Sequence, residues 1–519
     1  MVAARLFDGV AYDLMNGGLD AEVLDIVDDS RTVTDGAVFV CRRGTVTDGH
    51  NYIDDAMIRG AVGIVITEEY AVETSGTGPV GSVKPFIVRI HDYRKSIGII
   101  CNNFWGAPSR QMTMVAVTGT KGKTTVAYMI KHMLDVSGRR CGLVGTIEID
   151  DGETSARSVN TTPGIIYLHR KLADMVDHGL KYCVMEVSSQ GMMHGRVSGV
   201  DFDVGVFTNL SPDHMGKGEH STFEEYARWK RALVGRCRLA VINAGDVYAG
   251  CFEQSAVEAD IPIVYYGIGK EMKHCFPDKK KVYMAGDIQM QEDDRVMGTR
   301  FELYTPNDGL LSISVGIPGE FNVCNAVAAI AVGNVLGIPY DVSVRSLGDV
   351  SISGRLESVM VSQDIRVVID YAHNPISLRN VLSALEKYRH RRIICVFGCG
   401  GNRSLGRRYG MGLVSGVMAD MTVITSDNPR WENPEDIMTD IEKGVKDSGC
   451  AMYVKIPDRK KAIEFALDSA EKGDMILLAG KGHETYQEIC GQKIHMDERE
   501  LIRQILEEDN ERNIRGCDN

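Results

Sequence analysis

Residues 118–125 read Thr-Gly-Thr-Lys-Gly-Lys-Thr-Thr and directly follow the apolar run Met-Val-Ala-Val at 114–117. The run predicts a buried strand, and the apolar residues spaced at helical intervals after Thr124 predict a helix. In such a turn, glycines let backbone N–H groups face a phosphate chain, while a lysine and a hydroxyl supply a cation and a Mg²⁺ ligand. The segment therefore predicts a phosphate-binding loop for a nucleoside triphosphate. The loop residues assigned to it are Gly119, Thr120, Lys121, Gly122, Lys123, Thr124 and Thr125.

Composition limits the classes of protein that fit. The chain has 519 residues, which predicts about three domains at ~150 residues each. Its net charge of −13 disfavours nucleic-acid binding, because that function needs a basic surface. The 13 cysteines are odd in number and include no CxxC pair, which is typical of reduced thiols in a cytosolic protein.

The sequence gives no membrane signal. The N-terminus lacks the long apolar core of a signal peptide, and the longest apolar stretch, 326–338, is too short to span a bilayer and predicts a buried helix. We therefore expect a cytoplasmic protein without membrane insertion, with small-molecule substrates and a monomeric state.

Strand-like runs alternate with helical patterns along the chain, which predicts an α/β protein with largely parallel sheets. A linker-like segment at 105–110 and a junction near 354 divide it into predicted domains of residues 1–110, 111–352 and 353–519. Within the second domain, residues 268–315 alternate between apolar and polar, which predicts an antiparallel addition.

Polar residues at predicted strand ends are candidates for chemistry, because open parallel sheets place their sites at the carboxyl ends of strands. Glu186 ends the apolar run 182–186, and a carboxylate near a phosphate loop is a natural Mg²⁺ ligand. His214 follows another strand after a proline turn and suits a second cation. Lys230 lies in a predicted helix, where a lysine taken alone is most often simply solvated.

The short loop G-T-x-G-K-T, with Glu186, His214 and Lys230 following in order, resembles the Mur ligases, whose folylpolyglutamate synthetase relatives share the loop. The resemblance implies a three-domain Mur ligase architecture with a central P-loop ATPase-like sheet and a C-terminal Rossmann-like domain. It also implies that Lys123 and these three residues are catalytic. Thr124 and Glu186 would hold one Mg²⁺, and His214 and a carbamylated Lys230 would hold or organise a second. A carbamate is an anionic oxygen ligand, whereas an ammonium cannot approach Mg²⁺.

Three further segments resemble the nucleoside-binding parts of this family. Residues 319–326 are similar to its adenine element, which implies that Asn325 contacts adenine; alternatively, Asn322 caps a helix there. Asp370 ends a predicted strand and suits the ribose hydroxyls, as the family uses it. Arg355 resembles the interdomain arginine that lies near the phosphates.

The third domain carries guanidinium, amide and carboxylate groups that suit an amino acid with two zwitterionic ends, because arginines clamp carboxylates and Glu484 would take an ammonium. The alternative is structural, since Asp-Asn-Pro is a good turn and exposed arginines are common. The tetrapeptide at 427–430 resembles the signature of Mur ligases that add meso-2,6-diaminopimelate. Lysine-adding relatives tend to lack its arginine, so Arg430 is predicted to set specificity. The residues assigned to this substrate are Arg403, Asp427, Asn428, Arg430, Gly480 and Glu484.

The first domain supports the same family, because residues 29–33 and 48–50 are similar to its UDP-binding domain. The implied acceptor is UDP-N-acetylmuramoyl-L-alanyl-D-glutamate, joined to the amino acid through an acyl phosphate in peptidoglycan precursor synthesis. The residues assigned to this acceptor are Ser30, Thr161, Thr162, Ser188 and Arg196.

Other functions stay open at this point. The chain departs from the usual family pattern at Gln190, Gly216, Asn402 and Ser404. An L-lysine-adding or other diamine-adding ligase, a folylpolyglutamate synthetase, an NTP-hydrolysing switch and a paralogue without ligase activity are the alternatives. They differ in the amino acid that each requires for ATP turnover.

Overall fold

The computed structural model gives two compact units within the described part of the chain. The described residues are 1–44, 47–67, 85–213, 216, 220–269, 281–292, 297–306, 309–362, 365–388 and 390–517, with side chains as far as Glu508. The first unit comprises Met1–Gly267, Pro277–Tyr283 and Ala328–Val342, and the second comprises Ile268–Phe276, Met284–Val327 and Ser343–Asn519. The domain boundaries at 110 and 352 stay predictions.

The N-terminal part of the first unit is a five-stranded sheet in the order β1-β5-β4-β3-β2. Strands β2 to β5 are parallel, and β1 is antiparallel at the edge. Val40, Val65 and Val88 pack with Ile97 and Ile100 of α3 in one apolar core. The elements are α1 (Ala3–Leu6), β1 (Tyr12–Asn16), β2 (Asp25–Val27), β3 (Ala37–Val40), α2 (Ile53–Ile58), β4 (Gly63–Thr67), β5 (Phe86–Ile90) and α3 (Tyr93–Trp105), with 3-10 turns at Ser30–Thr32, Gly49–Tyr52 and Pro108–Arg110.

The rest of the first unit contains a second sheet in the order β13-β12-β11-β6-β10-β7-β8-β9. Its strands from β13 to β7 are parallel, and β8 and β9 extend it antiparallel. The elements are β6 (Thr113–Thr118), α4 (Lys123–Val136), β7 (Cys141–Val144), β8 (Glu148–Asp150), β9 (Ser155–Arg157), α5 (Ile165–Asp177), β10 (Tyr182–Glu186), α6 (Ser189–Met193), β11 (Phe202–Phe207), α7 (Phe223–Arg231), β12 (Cys237–Asn243), α8 (Ala249–Glu258) and β13 (Ile263–Ile268), with a 3-10 turn at Val234–Arg236.

The order of these strands positions the phosphate-binding loop. Strand β6 lies between β10 and β11, with Val117 opposite Glu186 and Thr118 opposite Phe207. The carboxyl ends of the three strands therefore meet where the loop leaves β6, at the edge where parallel sheets carry their sites.

The antiparallel addition predicted for 268–315 is present, since β14 pairs with β15 and β15 pairs with β16 in antiparallel fashion. The predicted buried helix is α9, in which Ala326–Ala331 are completely buried. In the described part of the chain, no helix is long and apolar enough to cross a bilayer. The elements are β14 (Val282–Glu292), β15 (Met297–Tyr304), β16 (Leu310–Val315), α9 (Glu320–Val335) and α10 (Tyr340–Gly348).

The C-terminal part of the second unit is a six-stranded sheet in the order β17-β18-β22-β19-β20-β21, parallel except for β17. A separate antiparallel hairpin is formed by β23 and β24. The elements are β17 (Glu357–Met360), β18 (Arg366–Asp370), α11 (Pro375–Leu385), β19 (Ile393–Phe397), α12 (Leu405–Met418), β20 (Met421–Ile424), α13 (Pro434–Asp447), β21 (Tyr453–Lys455), α14 (Arg459–Asp468), β22 (Met475–Ala479), β23 (Tyr486–Ile489), β24 (Gln492–His495) and α15 (Glu498–Cys517).

A buried ion pair joins the carboxyl ends of β20 and β22. Arg459 donates to Glu498 Oε1 at 2.7 and 2.9 Å, and also to the carbonyls of Ser426 and Ala479. Both side chains are at most 2 % exposed, and burial raises the pKa of Glu498. Removing one partner would leave a charge without compensation in the interior, which is costlier than removing both.

We expect Glu498→Ala to reduce the free energy of unfolding of the second unit by about 3 to 5 kcal/mol, because Arg459 would stay charged and buried. The double variant R459M/E498L should recover most of that loss. Hydrogen exchange of β20 and β22 peptides in urea measures the effect. Glu500→Ala, on the same helix, removes only the exposed pair with His495 and should change stability by less than about 1 kcal/mol.

Candidate active site

The strand, loop and helix predicted around residues 118–125 are present. Strand β6 ends at Thr118 and helix α4 begins at Lys123. Between them, Gly119 has φ +149° and Gly122 has φ +84°, a region that favours glycine. A Cβ on Gly119 would lie 1.9 Å from Thr208 Oγ1, so the loop backbone is pressed against the end of β11.

The end of β11 also holds the loop through hydrogen bonds. The backbone carbonyl of Asn209 accepts from the Thr120 amide at 2.9 Å, and Asn209 Oδ1 accepts from the Lys121 amide at 2.8 Å. Thr208 Oγ1 donates to the Lys121 carbonyl at 2.6 Å. Sequence analysis did not assign Thr208 or Asn209, although two polar residues after an apolar strand were a usable signal.

Two lysines converge on the loop. Lys123 Nζ donates to the Gly119 carbonyl at 2.9 Å, and Lys230 Nζ donates to the same carbonyl at 2.7 Å. Lys230 is 1 % exposed and lies 4.8 Å from the centre of the Tyr226 ring. Burial, and after it the charge of Lys123, lowers the pKa of Lys230 well below its usual range. Lys230 is therefore a buried side chain, and it is not one of the solvated lysines expected of a lysine taken alone.

Glu186 is completely buried at the end of β10. Its Oε2 accepts from Thr124 Oγ1 at 3.0 Å and from Thr146 Oγ1 at 3.0 Å, and its Oε1 accepts from the Thr146 amide at 2.8 Å. A carboxylate and a hydroxyl are hard oxygen donors of the kind Mg²⁺ prefers, so this pair fits the metal chemically. Sequence analysis missed Thr146, and His214 lies outside the described residues.

The residues assigned to the acceptor peptide surround Glu186. Thr162 Oγ1 donates to the Glu186 carbonyl and accepts from the Ser188 amide, both at 3.0 Å. Arg196 Nη1 donates to the Thr162 carbonyl at 2.9 Å, and its buried Nε has no hydrogen-bond partner in the described part of the chain. Burial lowers the pKa of Arg196.

The other two acceptor residues are placed differently. Thr161 is linked to Glu186 through Thr146, which donates to that carboxylate. The hydroxyl oxygens of Thr161 and Thr146 are 3.0 Å apart. Ser30 is buried in the 3-10 turn Ser30–Thr32, where its hydrogen bond to Asp55 lowers the pKa of that carboxyl.

In the second unit, Asp370 ends β18 beside Arg355. Asp370 Oδ2 accepts from the Leu356 amide at 2.8 Å, and the Arg355 guanidinium lies 5.0 Å from the Tyr371 ring centre. Burial raises the pKa of Asp370 to about 6, against the opposing charge of Arg355. The structure therefore brings together two of the residues assigned to the nucleoside.

Asn325 lies on α9, one turn after Asn322. Its amide donates to Asn322 Oδ1 at 3.0 Å, and the Asn322 amide donates to the Pro318 carbonyl at 2.7 Å. The alternative that Asn322 caps this helix is wrong, because α9 begins at Glu320 and Asn322 already lies inside it.

Asn428 and Glu484, both assigned to the amino acid, are in contact. Asn428 Nδ2 donates to Glu484 Oε2 at 2.9 Å. Lys481, which sequence analysis missed, is completely buried and donates to Glu484 Oε2 at 2.6 Å and to Asn428 Oδ1 at 2.9 Å. Glu484, expected to take a substrate ammonium, thus has the Lys481 ammonium beside it, and its other oxygen lies 3.4 Å from the Tyr371 hydroxyl.

The remaining amino-acid residues lie on the loops after β19, β20 and β22. A Cβ on Gly480 would lie 2.8 Å from Asp427 Oδ2, so these two loops are in close approach. A Cβ on Gly400 would lie 2.9 Å from Arg430 Nη1 and 3.8 Å from Arg403 Cγ. The two arginines therefore flank one glycine, with Arg403 exposed.

Comparison with known proteins identifies the class. Three family profiles match: the Mur ligase family catalytic domain at residues 26–105, the Mur ligase middle domain at 117–333, and the Mur ligase glutamate ligase domain at 354–482. The chain belongs to the Mur ligase family, and its α/β sheets are those of the family's three-domain architecture, as predicted.

Two relatives cover nearly the whole chain. A Clostridium perfringens protein is 36 % identical over 98 % of this chain and 100 % of its own length, and a Caldanaerobacter subterraneus protein is 39 % identical over 97 % and 98 %. Both are named UDP-N-acetylmuramoyl-L-alanyl-D-glutamate–2,6-diaminopimelate ligase.

Solved structures agree on the fold. A structure of a ligase with that same name is 28 % identical, with a TM-score of 0.64 over 96 % of this chain and 97 % of its own. A UDP-N-acetylmuramoylalanyl-D-glutamyl-2,6-diaminopimelate–D-alanyl-D-alanyl ligase from Acinetobacter baumannii is 18 % identical, with a TM-score of 0.64 over 98 % of both chains, and supports the fold alone.

The raised pKa of Asp370 makes a pH-dependent prediction. Because the folded protein holds this proton up to about pH 6, whereas an unfolded Asp releases it near 3.8, folding stability should fall as the pH rises through that window. Asp370→Asn removes the effect. From pH 4 to pH 7, the free energy of unfolding of the second unit in the wild type should fall by up to about 3 kcal/mol relative to that in the variant. A difference independent of pH would contradict the assignment.

Proposed function

We propose that this protein joins meso-2,6-diaminopimelate to UDP-N-acetylmuramoyl-L-alanyl-D-glutamate with the cleavage of ATP to ADP and phosphate, a step of peptidoglycan precursor synthesis. The observation that carries the proposal is the grouping of Thr124, Glu186 and Lys230 at the phosphate-binding loop. It occurs in a chain whose relatives, 36 % and 39 % identical, bear the name of that ligase.

In this proposal the loop binds the ATP phosphates. Backbone N–H groups at the start of α4 and the Lys123 ammonium stabilise the phosphate charge. Thr124 and Glu186 would hold Mg²⁺, which supplies further positive charge for phosphoryl transfer. In the second unit we assign Asn325 to adenine, Asp370 to the ribose and Arg355 to the phosphates.

The acceptor carboxylate then attacks the γ-phosphorus of ATP, which forms an acyl phosphate and releases ADP. Thr161, Thr162, Ser188 and Arg196 position this acceptor, and Ser30 binds its uridine diphosphate. The neutral amine of the amino acid attacks the acyl carbon, loses a proton and releases inorganic phosphate. His214 keeps its assignment as a metal ligand from the family resemblance.

Lys230 fits the proposed carbamylation because burial lowers its pKa, which favours the neutral amine. A neutral amine attacks CO₂, forms a C–N bond and releases one proton, which leaves a carbamate anion. The burial that lowers the pKa of Lys230 therefore favours the form of the side chain that reacts with CO₂. The carbamate would then serve as an oxygen ligand where an ammonium would repel the metal.

The amino-acid site supports a substrate with two carboxylates. Arg403 and Arg430 flank Gly400 and supply two guanidinium groups, one for each carboxylate. Asp427, Asn428, Gly480 and Glu484 lie on the neighbouring loops and are assigned to the same substrate, with Glu484 assigned to an ammonium. L-lysine has a single carboxylate, so it would leave one guanidinium without a partner.

Phosphate release from ATP, with the UDP-muramoyl dipeptide present, tests the function directly. We expect release that depends on meso-diaminopimelate, with the tripeptide product observed by mass spectrometry. Release that depends on L-lysine would keep the ligase and overturn the specificity. Release without any amino acid, or no release at all, would contradict the proposed reaction.

We expect Lys230→Ala to reduce kcat by at least about 100-fold, because it removes the proposed carbamate, and short carboxylates such as acetate should restore part of the activity. Phosphate release measured with and without acetate checks this. Lys181→Ala, an exposed lysine of the same unit, is the control and should keep wild-type activity. Full activity of Lys230→Ala would remove Lys230 from the mechanism.

A further inference from the structure

The backbone of Arg430 is held by the β23–β24 hairpin. Arg430 has φ +55°, a left-handed conformation that residues other than glycine rarely adopt. Its amide donates to the Glu488 carbonyl at 3.0 Å, and its carbonyl accepts from the Cys490 amide at 2.7 Å. Strand β23 therefore fixes the direction in which the Arg430 side chain leaves the chain.

The side chain of Arg430 is oriented by two further contacts. Its Nε donates to Glu488 Oε2 at 3.2 Å, and its Nη1 donates to the Gly401 carbonyl at 2.8 Å. A guanidinium has five N–H donors, and within the described part of the chain these are the two that are used. The edge formed by Nη1 and Nη2 thus keeps donors for a planar carboxylate, which binds such an edge in a bidentate manner.

Glu488 also supports Asn428, but through its backbone. The Glu488 amide donates to Asn428 Oδ1 at 2.9 Å, which directs Asn428 Nδ2 towards Glu484. A change of the Glu488 side chain therefore affects Arg430 and leaves the support of Asn428 in place. This separation makes the role of the carboxylate testable.

We propose that Glu488 is a positioning residue, which orients Arg430 for the second carboxylate of the amino-acid substrate and so contributes to specificity. The inference rests on the proposed function, in which Arg430 takes that carboxylate. Both side chains are about one-quarter exposed, at 24 % and 25 %, so water partly screens the attraction between them. Without Glu488, the long arginine side chain has one contact fewer to hold it in the binding geometry.

Steady-state kinetics of Glu488→Ala and Glu488→Gln test this role. We expect Glu488→Ala to raise the KM for meso-diaminopimelate about 10-fold, while kcat and the KM values for ATP and the UDP-muramoyl dipeptide stay within about twofold. Glu488→Gln keeps an acceptor oxygen for Arg430 Nε, so its KM for meso-diaminopimelate should lie between those of the wild type and Glu488→Ala. Gln492→Ala, an exposed side chain on the same hairpin, is the control and should resemble wild type.

A double-mutant cycle with Arg430→Ala distinguishes orientation from general support of the fold. In the Arg430→Ala background, Glu488→Ala should have no further effect on the KM for diaminopimelate. An unchanged KM in Glu488→Ala, an equal rise in the KM for ATP, or a full additional loss in the double variant would overturn the inference. Wild type without diaminopimelate-dependent turnover would overturn the proposed function and this inference with it, whereas a competent wild type with an unaffected Glu488→Ala overturns this inference alone.

Discussion

The peptide at Gly119 is the point on which the candidate site depends. Its carbonyl accepts from Lys123 and from Lys230, and a Cβ on Gly119 would lie only 1.9 Å from Thr208 Oγ1. Two ammonium groups on one carbonyl repel each other, and this repulsion adds to burial in lowering the pKa of Lys230. The position of one glycine thereby links the phosphate-binding loop to a buried lysine 111 residues further along the chain.

The strands were predictable because their signals are local. The apolar runs at 114–117 and 182–186 indicated strands, and the structure has Thr113–Thr118 and Tyr182–Glu186. The order of the strands was not predictable in this way. The insertion of β6 between β10 and β11 depends on pairing between segments far apart in sequence, and no local pattern records it.

The residues of the candidate site differ in the same way: some have a local signal in the sequence and others are recognised only by their contacts in the fold. Glu186 was predicted because a carboxylate at the end of an apolar run is unusual in a sequence. Thr146 lies 40 residues earlier and has no such local signal; only its hydrogen bond to Glu186 in the structure distinguishes it from other loop threonines. Lys481 was missed because a lysine between two glycines predicts an exposed turn, yet it is completely buried between Asn428 and Glu484. Helix capping by Asn322 failed as a prediction because cap position depends on where the helix begins, which sequence locates only within a few residues.

The left-handed backbone at Arg430 has an evolutionary consequence. Such a conformation costs an ordinary residue about 1 to 2 kcal/mol, while glycine adopts it freely and asparagine adopts it more easily than most. Random substitution of Arg430 by glycine or asparagine would therefore relieve the backbone and delete the guanidinium in the same step. Under the proposed function, an arginine is retained at this position because its contribution to binding the amino acid outweighs that gain in stability.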